Sequence, residues 1–484
     1  MMTRITAAFR GATSRSARHG DDPSPDKSFL IFTGATIVGL FHAVDDAVLH
    51  RQPGVPITQH LWALAAVAVI AGPAVVLFRR MPTGVRAAMA LIFGAVTLTN
   101  GAMHVIHIAV DQAASSDGTG SVAAVAGAVL IGMSMVLPFV HRGERMVPTV
   151  HRWAVGAVVT VATAAVLVLV VVPVGVGIGQ THLFRDAIGA PPGSSYRDVT
   201  FESSDGLRLA GWYKASRNGA AIVVVSSAGG DRLGSVAHAR MLSQHGYGVL
   251  LCDARGSGES QGSPNGYGWG WDQDVAGAVT FLRKQPGVDP ERVGGLGLSR
   301  GADVLIEVAA SDSRLGAVVA DGATARSLGD IPPGEESAAL WLVPVLSTVS
   351  VLSGTMPGPP LKNLAAEVSP TPLLLIATGS LADEIMLNKI YGRAARPPVD
   401  TWVLPKAGHT TAIRDEAAAY EQRVIAHFDN ALLPAGRGAD DSRSRTAFIG
   451  GSGPRRSADE AEQHGLPVGV VGDGHLRAVL PALP

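Results

Sequence analysis

A single cysteine, Cys252, stands in a chain of 484 residues, which excludes an intramolecular disulfide framework and any cysteine-based metal cluster. Charge is scarce as well: only 16% of the residues are Asp, Glu, Lys or Arg, and the formal net charge is −1. Without a basic excess there is no electrostatic basis for binding nucleic acid, and no such partner is expected. Apolar residues take the place of charge, at 47% of the chain, a composition that leans towards membrane association. They crowd into the first 180 positions, while the remainder alternates short apolar runs with Gly, Asp and Pro, as a soluble α/β domain does.

Five apolar stretches, 29–49, 61–78, 87–110, 122–141 and 153–179, are long enough, or nearly so, to cross about 30 Å of hydrocarbon as helices. The region 29–180 is therefore expected to be an all-α transmembrane bundle. Residues 1–28 are polar and Arg-rich without the apolar core of a cleavable signal, which predicts a cytoplasmic N-terminus ahead of an uncleaved anchor. Arg79, Arg80 and Arg86 join the second stretch to the third, and Arg142, Arg145 and Arg152 join the fourth to the fifth. Basic loops stay inside, so these segments are expected in the cytoplasm and everything after about residue 180 outside it.

The outer ends of the first and third stretches carry groups that a bilayer disfavours by roughly 2.5–3.5 kcal/mol each at its centre. On an α-helix His42, Asp45, Asp46 and His50 fall within an arc of about 140°. His104, His107 and Asp111 fall within about 60°. Two polar faces at one depth fit a shared metal ion, since His and Asp at i, i+3 and i+4 converge on one point. They also fit a proton relay, a hydrogen-bonded clamp between helices, or side chains snorkelling to the interface.

Beyond residue 190 the pattern becomes strand and helix in alternation, which predicts a mostly parallel sheet flanked by helices. DVTFESSDGLRLAGWY reads as a hairpin turning at Asp205 and Gly206, and AAIVVVSS, YGVLLCD, RVGGLGLS, LGAVVAD, PLLLIAT and DTWVLP follow as short apolar strands. Gly297-Leu298-Ser299-Arg300-Gly301 is a GxSxG sequence between the strand RVGGLGL and a helix starting RGADVLIEVAA. Asp253-Ala-Arg255-Gly256-Ser257-Gly258-Glu259-Ser260 follows YGVLLC, and Lys406-Ala407-Gly408-His409 follows DTWVLP. In this order the motifs resemble those of the serine α/β-hydrolase superfamily, its esterases and peptidases, over roughly residues 195–432.

The resemblance implies a nucleophile elbow at Ser299, flanked by Gly297 and Gly301, with His409 as general base. The acid is expected just after PLLLIAT, where Asp383 is the first choice and Glu384 the second, with Asp321 at the end of the preceding strand LGAVVAD the third. The oxyanion hole is expected from the backbone N–H of Arg300 together with that of Ala228 or Gly229, in a loop reading SSAGGDR where relatives often carry His-Gly. Asp253 and Arg255 are expected to brace a tight loop beside the site. No cofactor is expected for this half.

Residues 324–368 form an insertion containing ALWLVPVLSTVSVLSG, read as an apolar lid because a crossing here would separate His409 from Ser299. Residues 434–484, rich in Gly, Arg, Ser and Asp, are expected to be a flexible tail. The leading function is then a membrane-anchored serine hydrolase cleaving a small-molecule or lipid-like ester, less readily an amide, outside the cytoplasm. The alternative makes the membrane half the working part, handling a metal ion or protons, beside a hydrolase domain that has lost turnover.

Overall fold

The computed structural model describes residues 26–434 except 51–54, 56, 110–116, 141–148, 183–187, 313 and 382. Most of the expected N-terminus, and the expected tail from residue 435 on, lie outside the described residues.

The apolar stretches are helices: α1 (Lys27–Val44, continued by a π turn over Asp45–Leu49), α2 (Ile57–Phe78), α3 (Thr83–Ala109), α4 (Asp117–Val140) and α5 (Thr149–Val166, then a π turn Leu167–Val171, then Val172–Gly179). All five are long and apolar enough to cross a membrane. Asp26 caps α1, accepting from the backbone N–H groups of Ser28 at 3.1 Å and Phe29 at 3.2 Å, and Arg86 at the start of α3 donates to its other oxygen at 3.0 Å. One contact thus ties the N-terminal ends of α1 and α3. Between α3 and α4 the backbones nearly touch, since a Cβ on Gly127 would lie 2.5 Å from the amide nitrogen of Leu98, and one on Gly101 would overlap Ala124. Small residues at such a seam let two helices gain dispersion contacts that apolar bulk alone would not give in lipid. Phe32 and Phe78 stack at 4.2 Å beneath it, whereas Val158, Val161 and Val168 of α5 point outward.

The second half holds β1 (Tyr196–Glu202), β2 (Arg208–Lys214), β3 (Ala221–Val225), α6 (Val236–Gln244), β4 (Gly248–Cys252), α7 (Trp271–Arg283), β5 (Val293–Leu298), α8 (Arg300–Ser311) and β6 (Ala317–Asp321). It continues with α9 (Ala338–Ser353), α10 (Leu361–Ala365), β7 (Leu373–Thr378), α11 (Glu384–Ala394), β8 (Val399–Leu404), α12 (Ala412–Asp415) and α13 (Ala417–Leu432). The strands form one eight-stranded sheet in the order β1-β2-β4-β3-β5-β6-β7-β8. β2 runs antiparallel to β1 and β4, and the remaining pairs are parallel. Helices cover both faces, so β3 to β7 are buried throughout, the reason they read as unbroken apolar runs. The expected fold class is the observed one: an apolar helical bundle followed by a mostly parallel, helix-flanked sheet. The expected hairpin is there too, with Gly206 at φ 88° in its turn.

Candidate active site

β5 ends at Leu298 and α8 begins at Arg300, leaving Ser299 alone to reverse the chain, with φ 53° and ψ −113°. A side chain at positive φ is strained, and it persists here because its surroundings over-determine it. The Ser299 N–H donates to the Asp321 carbonyl at 2.7 Å, and its own carbonyl accepts from Ala302 at 2.9 Å. The flanking glycines are steric requirements: a Cβ on Gly297 would overlap the Gly301 carbonyl, and one on Gly301 would overlap the Val225 carbonyl. Ser299 is 8% exposed, its turn facing the carboxyl ends of the parallel strands.

His409 follows β8, and its Nδ1 donates to Glu384 Oε2 at 2.6 Å. The other Glu384 oxygen accepts from the Thr378 N–H at 2.6 Å and the Thr378 hydroxyl at 2.9 Å, at the end of β7. Glu384 is 1% exposed, so a buried carboxylate with both oxygens engaged fixes which imidazole nitrogen carries the proton. The ring lies over Gly322, where a Cβ would sit 2.8 Å from His409 Cε1. Gly322 directly follows Asp321, the residue whose carbonyl takes the Ser299 N–H, so the imidazole and Ser299 share one strand end.

The first choice of acid is therefore corrected. Asp383 sits at the N-cap of α11, exposed, while Glu384 in the first turn turns inward, and its extra methylene spans the gap to Thr378 and His409. Asp321 does not serve His409 either. It is wholly buried and accepts from the Tyr420 hydroxyl of α13 at 2.9 Å. Burial, reinforced by the negative charge of Glu384, pushes the Asp321 carboxyl up to about 7.

That shift has a sign. A carboxyl that holds its proton more tightly folded than unfolded costs stability as pH rises from its unfolded value of 3.8 through about 7. Asp321→Asn is expected to remove this loss, raising the thermal midpoint over wild type at pH 8 and matching it near pH 4. An equal difference at both pH values would show that Asp321 does not titrate in this window.

Two backbone donors flank Ser299. The Arg300 N–H, first in α8, has no acceptor within its own helix. Across from it the loop after β3 is pinned by the Ser226 hydroxyl, which lies 2.7 Å from Ser235 Oγ, and by the Gly230 N–H donating to Ser227. Gly229, at φ 102°, and Ala228 form its crest, and among the described residues neither N–H is hydrogen-bonded to a protein acceptor.

The expected bracing by Asp253 and Arg255 is present, with partners that the motif did not reveal. Arg232, 1% exposed, donates through Nη2 at 2.8 Å and through its backbone N–H at 2.8 Å to Asp253, and its guanidinium lies 5.1 Å above the Trp212 ring. Arg255 donates to Asp274 at 2.7 Å and to Asp205 at 3.0 Å. Burial pushes the Asp274 carboxyl up to about 6 against the pull of Arg255. The Arg300 side chain, next to Ser299, donates to Asp303 at 3.0 Å and to the Ala325 carbonyl at 2.6 Å, with the Tyr267 ring 4.5 Å from its guanidinium carbon.

The insertion forms α9, which packs on Tyr267, Trp269 and the last turns of α5. A Cβ on Gly177 of α5 would lie 2.6 Å from Thr348 Cβ, and the Gly266 N–H donates to the Gln180 carbonyl at 2.8 Å. A groove of about 340 Å³ runs between α9 and residues 327–329 and 356–360, lined by Leu328, Val343, Leu346 and Met356. Neither Ser299 nor His409 is among its lining residues.

The helical half brings His42, Asp45, Asp46, His50 and His104 into one cluster. His42 Nε2 and His104 Nε2 lie 3.6 and 3.4 Å from Asp46 Oδ2. His50 Nδ1 lies 2.8 Å from Asp45 Oδ1, a pairing that an α-helical projection places far apart. The π turn over Asp45–Leu49 explains it, because a wider turn aligns residues five apart. Asp111 and the side chain of His107 lie outside the described residues. Three further members escaped the sequence reading. Asp117 Oδ1 lies 2.9 Å from His104 Nδ1, Thr119 Oγ1 lies 3.1 Å from His42 Nδ1, and the His182 ring lies 6.0 Å from that of His104. Asp117 and Thr119 stood in a loop-like stretch, DQAASSDGTGS, whose latter part is in fact the first turn of α4.

The profile of the X-Pro dipeptidyl-peptidase (S15) family matches residues 196–331. An uncharacterized protein of Mycobacterium tuberculosis is 32% identical over 228 residues, covering 44% of this chain and 72% of its own length. The uncharacterized protein YfhR of Escherichia coli is 29% identical over 262 residues, 51% of this chain and 86% of its own. Among solved structures, an esterase of Pyrococcus furiosus superposes with a TM-score of 0.43 at 21% identity, over 52% of this chain and 98% of that one.

Proposed function

Since the chain belongs through its C-terminal half to the α/β-hydrolase superfamily, we propose that it is a membrane-anchored serine hydrolase that cleaves an ester through an acyl-enzyme, with Ser299 as nucleophile, His409 as base and Glu384 as acid. The observation that carries this reading is the buried Glu384 carboxylate, held by Thr378 and aimed at His409 beside a strained Ser299.

His409 Nε2 takes the Ser299 hydroxyl proton as Oγ attacks the ester carbonyl carbon. The carbonyl oxygen becomes an oxyanion held by the N–H of Arg300 and that of Ala228 or Gly229, both backbone donors, so no His-Gly side chain is required. When the tetrahedral intermediate collapses, the imidazolium returns the proton to the leaving alkoxide. Glu384 stabilises that imidazolium without itself becoming protonated. Water, deprotonated by the same imidazole, then releases the acid. The apolar character of α9 and its packing on α5 support an apolar ester delivered from a bilayer.

The loop charges support a site outside the cytoplasm, and one experiment tests chemistry and side together. Intact cells producing the protein are treated with a membrane-impermeant fluorophosphonate or with a permeant one. Both reagents are expected to label wild type and neither Ser299→Ala. Labelling by the permeant reagent alone would reverse the orientation, and labelling by neither, in folded protein, would remove the hydrolase assignment.

A further inference from the structure

We propose that His42, Asp46 and His104 bind a divalent transition-metal ion at the end of the helical bundle, independently of the hydrolase site.

Hydrogen bonding sets the direction of the lone pairs. The Thr119 hydroxyl donates its one proton to Asp45 Oδ2 at 2.6 Å, so towards His42 Nδ1, 3.1 Å away, it acts as acceptor. His42 therefore carries its proton on Nδ1 and presents a lone pair at Nε2. His104 Nδ1 faces the carboxylate of Asp117 at 2.9 Å, and a carboxylate only accepts, so His104 is likewise protonated on Nδ1. Both Nε2 atoms point at the same carboxylate oxygen, Asp46 Oδ2, and the three atoms all lie within 4.8 Å of one another. Such atoms converging on one point repel unless a positive charge, a proton or a metal ion, lies between them.

The spacing favours a metal ion over a direct bond. At 3.6 and 3.4 Å the two imidazole-to-Asp46 separations exceed the roughly 2.7–3.2 Å of an N–H···O bond. They match the edge, about 3.3–3.4 Å, of a tetrahedron with metal–ligand bonds of about 2.0–2.1 Å. Hydrogen-bonding each ligand imidazole through its other nitrogen is how proteins orient histidine on a metal, and both rings here are held so. His42 and His104 are 1% and 3% exposed, and Gly120 of α4 leaves room for the His104 ring, which a Cβ there would overlap. Asp45, Asp46 and Asp117 bring three carboxylates to this cluster, a charge that a dication offsets at the edge of an apolar medium. Two imidazoles and one carboxylate leave further coordination positions open, and the His182 ring lies 6.0 Å from that of His104.

The test uses the full chain, purified in detergent through a tag that binds no metal, with multi-element analysis and cobalt(II) titration. Wild type and Ser299→Ala are expected to carry about one equivalent of a single first-row divalent metal, or to take up cobalt(II) with visible d–d bands. Asp46→Asn and His104→Gln are expected to hold less than about a tenth of that. Thr119→Val, which keeps every ligand, is expected to bind cobalt about 10–100-fold more weakly. Absence of metal from wild type even after incubation with zinc or cobalt would overturn the proposal and leave a proton-sharing cluster. Equal metal content in wild type and folded Asp46→Asn would overturn it too. Should Asp46→Asn lose its helical circular dichroism, the Thr119→Val titration decides, and an unchanged cobalt affinity sinks the site.

Discussion

Glu384→Gln is expected to lower kcat for ester hydrolysis on the order of 10⁴-fold, while Asp383→Asn leaves it at the wild-type value. The asymmetry follows from what each side chain touches. Gln in place of Glu384 keeps the shape and the acceptor for Thr378, but it offers an amide that carries no charge to stabilise the imidazolium and that can turn an N–H towards His409. Either change favours the tautomer with its proton on Nε2, facing Ser299, where the base must be bare. Asp383, exposed at the helix N-cap, has no such contact. A loss of comparable size in Asp383→Asn, with Glu384→Gln active, would return the acid to the neighbouring position. A KM unchanged in Glu384→Gln separates lost transition-state stabilisation from lost binding.

The second large effect concerns stability. Arg232→Met leaves Asp253, 0% exposed, as a buried carboxylate without its bidentate partner. Breaking a buried pair from one side costs about 3–5 kcal/mol, whereas replacing both partners with apolar groups is often neutral. For a domain of this size that corresponds to a fall of roughly 10 °C in thermal midpoint. Tryptophan fluorescence reports it, because Trp212 lies directly under the guanidinium. The double variant Arg232→Met/Asp253→Leu is expected to recover much of the loss. A single variant as stable as wild type would mean that the backbone N–H groups of residues 232 and 259, which also donate to Asp253, hold its carboxylate without the guanidinium.

Local signals account for most of what could be read before the structure. Strands buried on both faces announce themselves as apolar runs, and GxSxG between strand and helix carries its own steric logic in Gly297 and Gly301. What stayed hidden depends on contacts between distant segments. Arg232 and Asp253 stand 21 positions apart, and Thr119 and Asp45 stand 74 apart, so no window along the chain contains either pair. The choice between Asp383 and Glu384 turned on where a helix starts, to within one residue, and helix boundaries are the least legible feature of a sequence. The π turn at Asp45–Leu49 is of the same kind: a regular 3.6-residue projection gathers His42, Asp45, Asp46 and His50 on one face but misses the pairing of Asp45 with His50.

The lone cysteine acquires a use from its position. Cys252 closes β4 at 5% exposure, beside Asp253, and burial pushes its thiol well above the ordinary range. Alkylating reagents react with the thiolate, so this sulfur is chemically silent in the folded protein. Nature has in effect supplied a blank background for thiol mapping. Cysteines introduced singly into the loops between membrane helices can be counted from either side of a bilayer, with the native residue left in place.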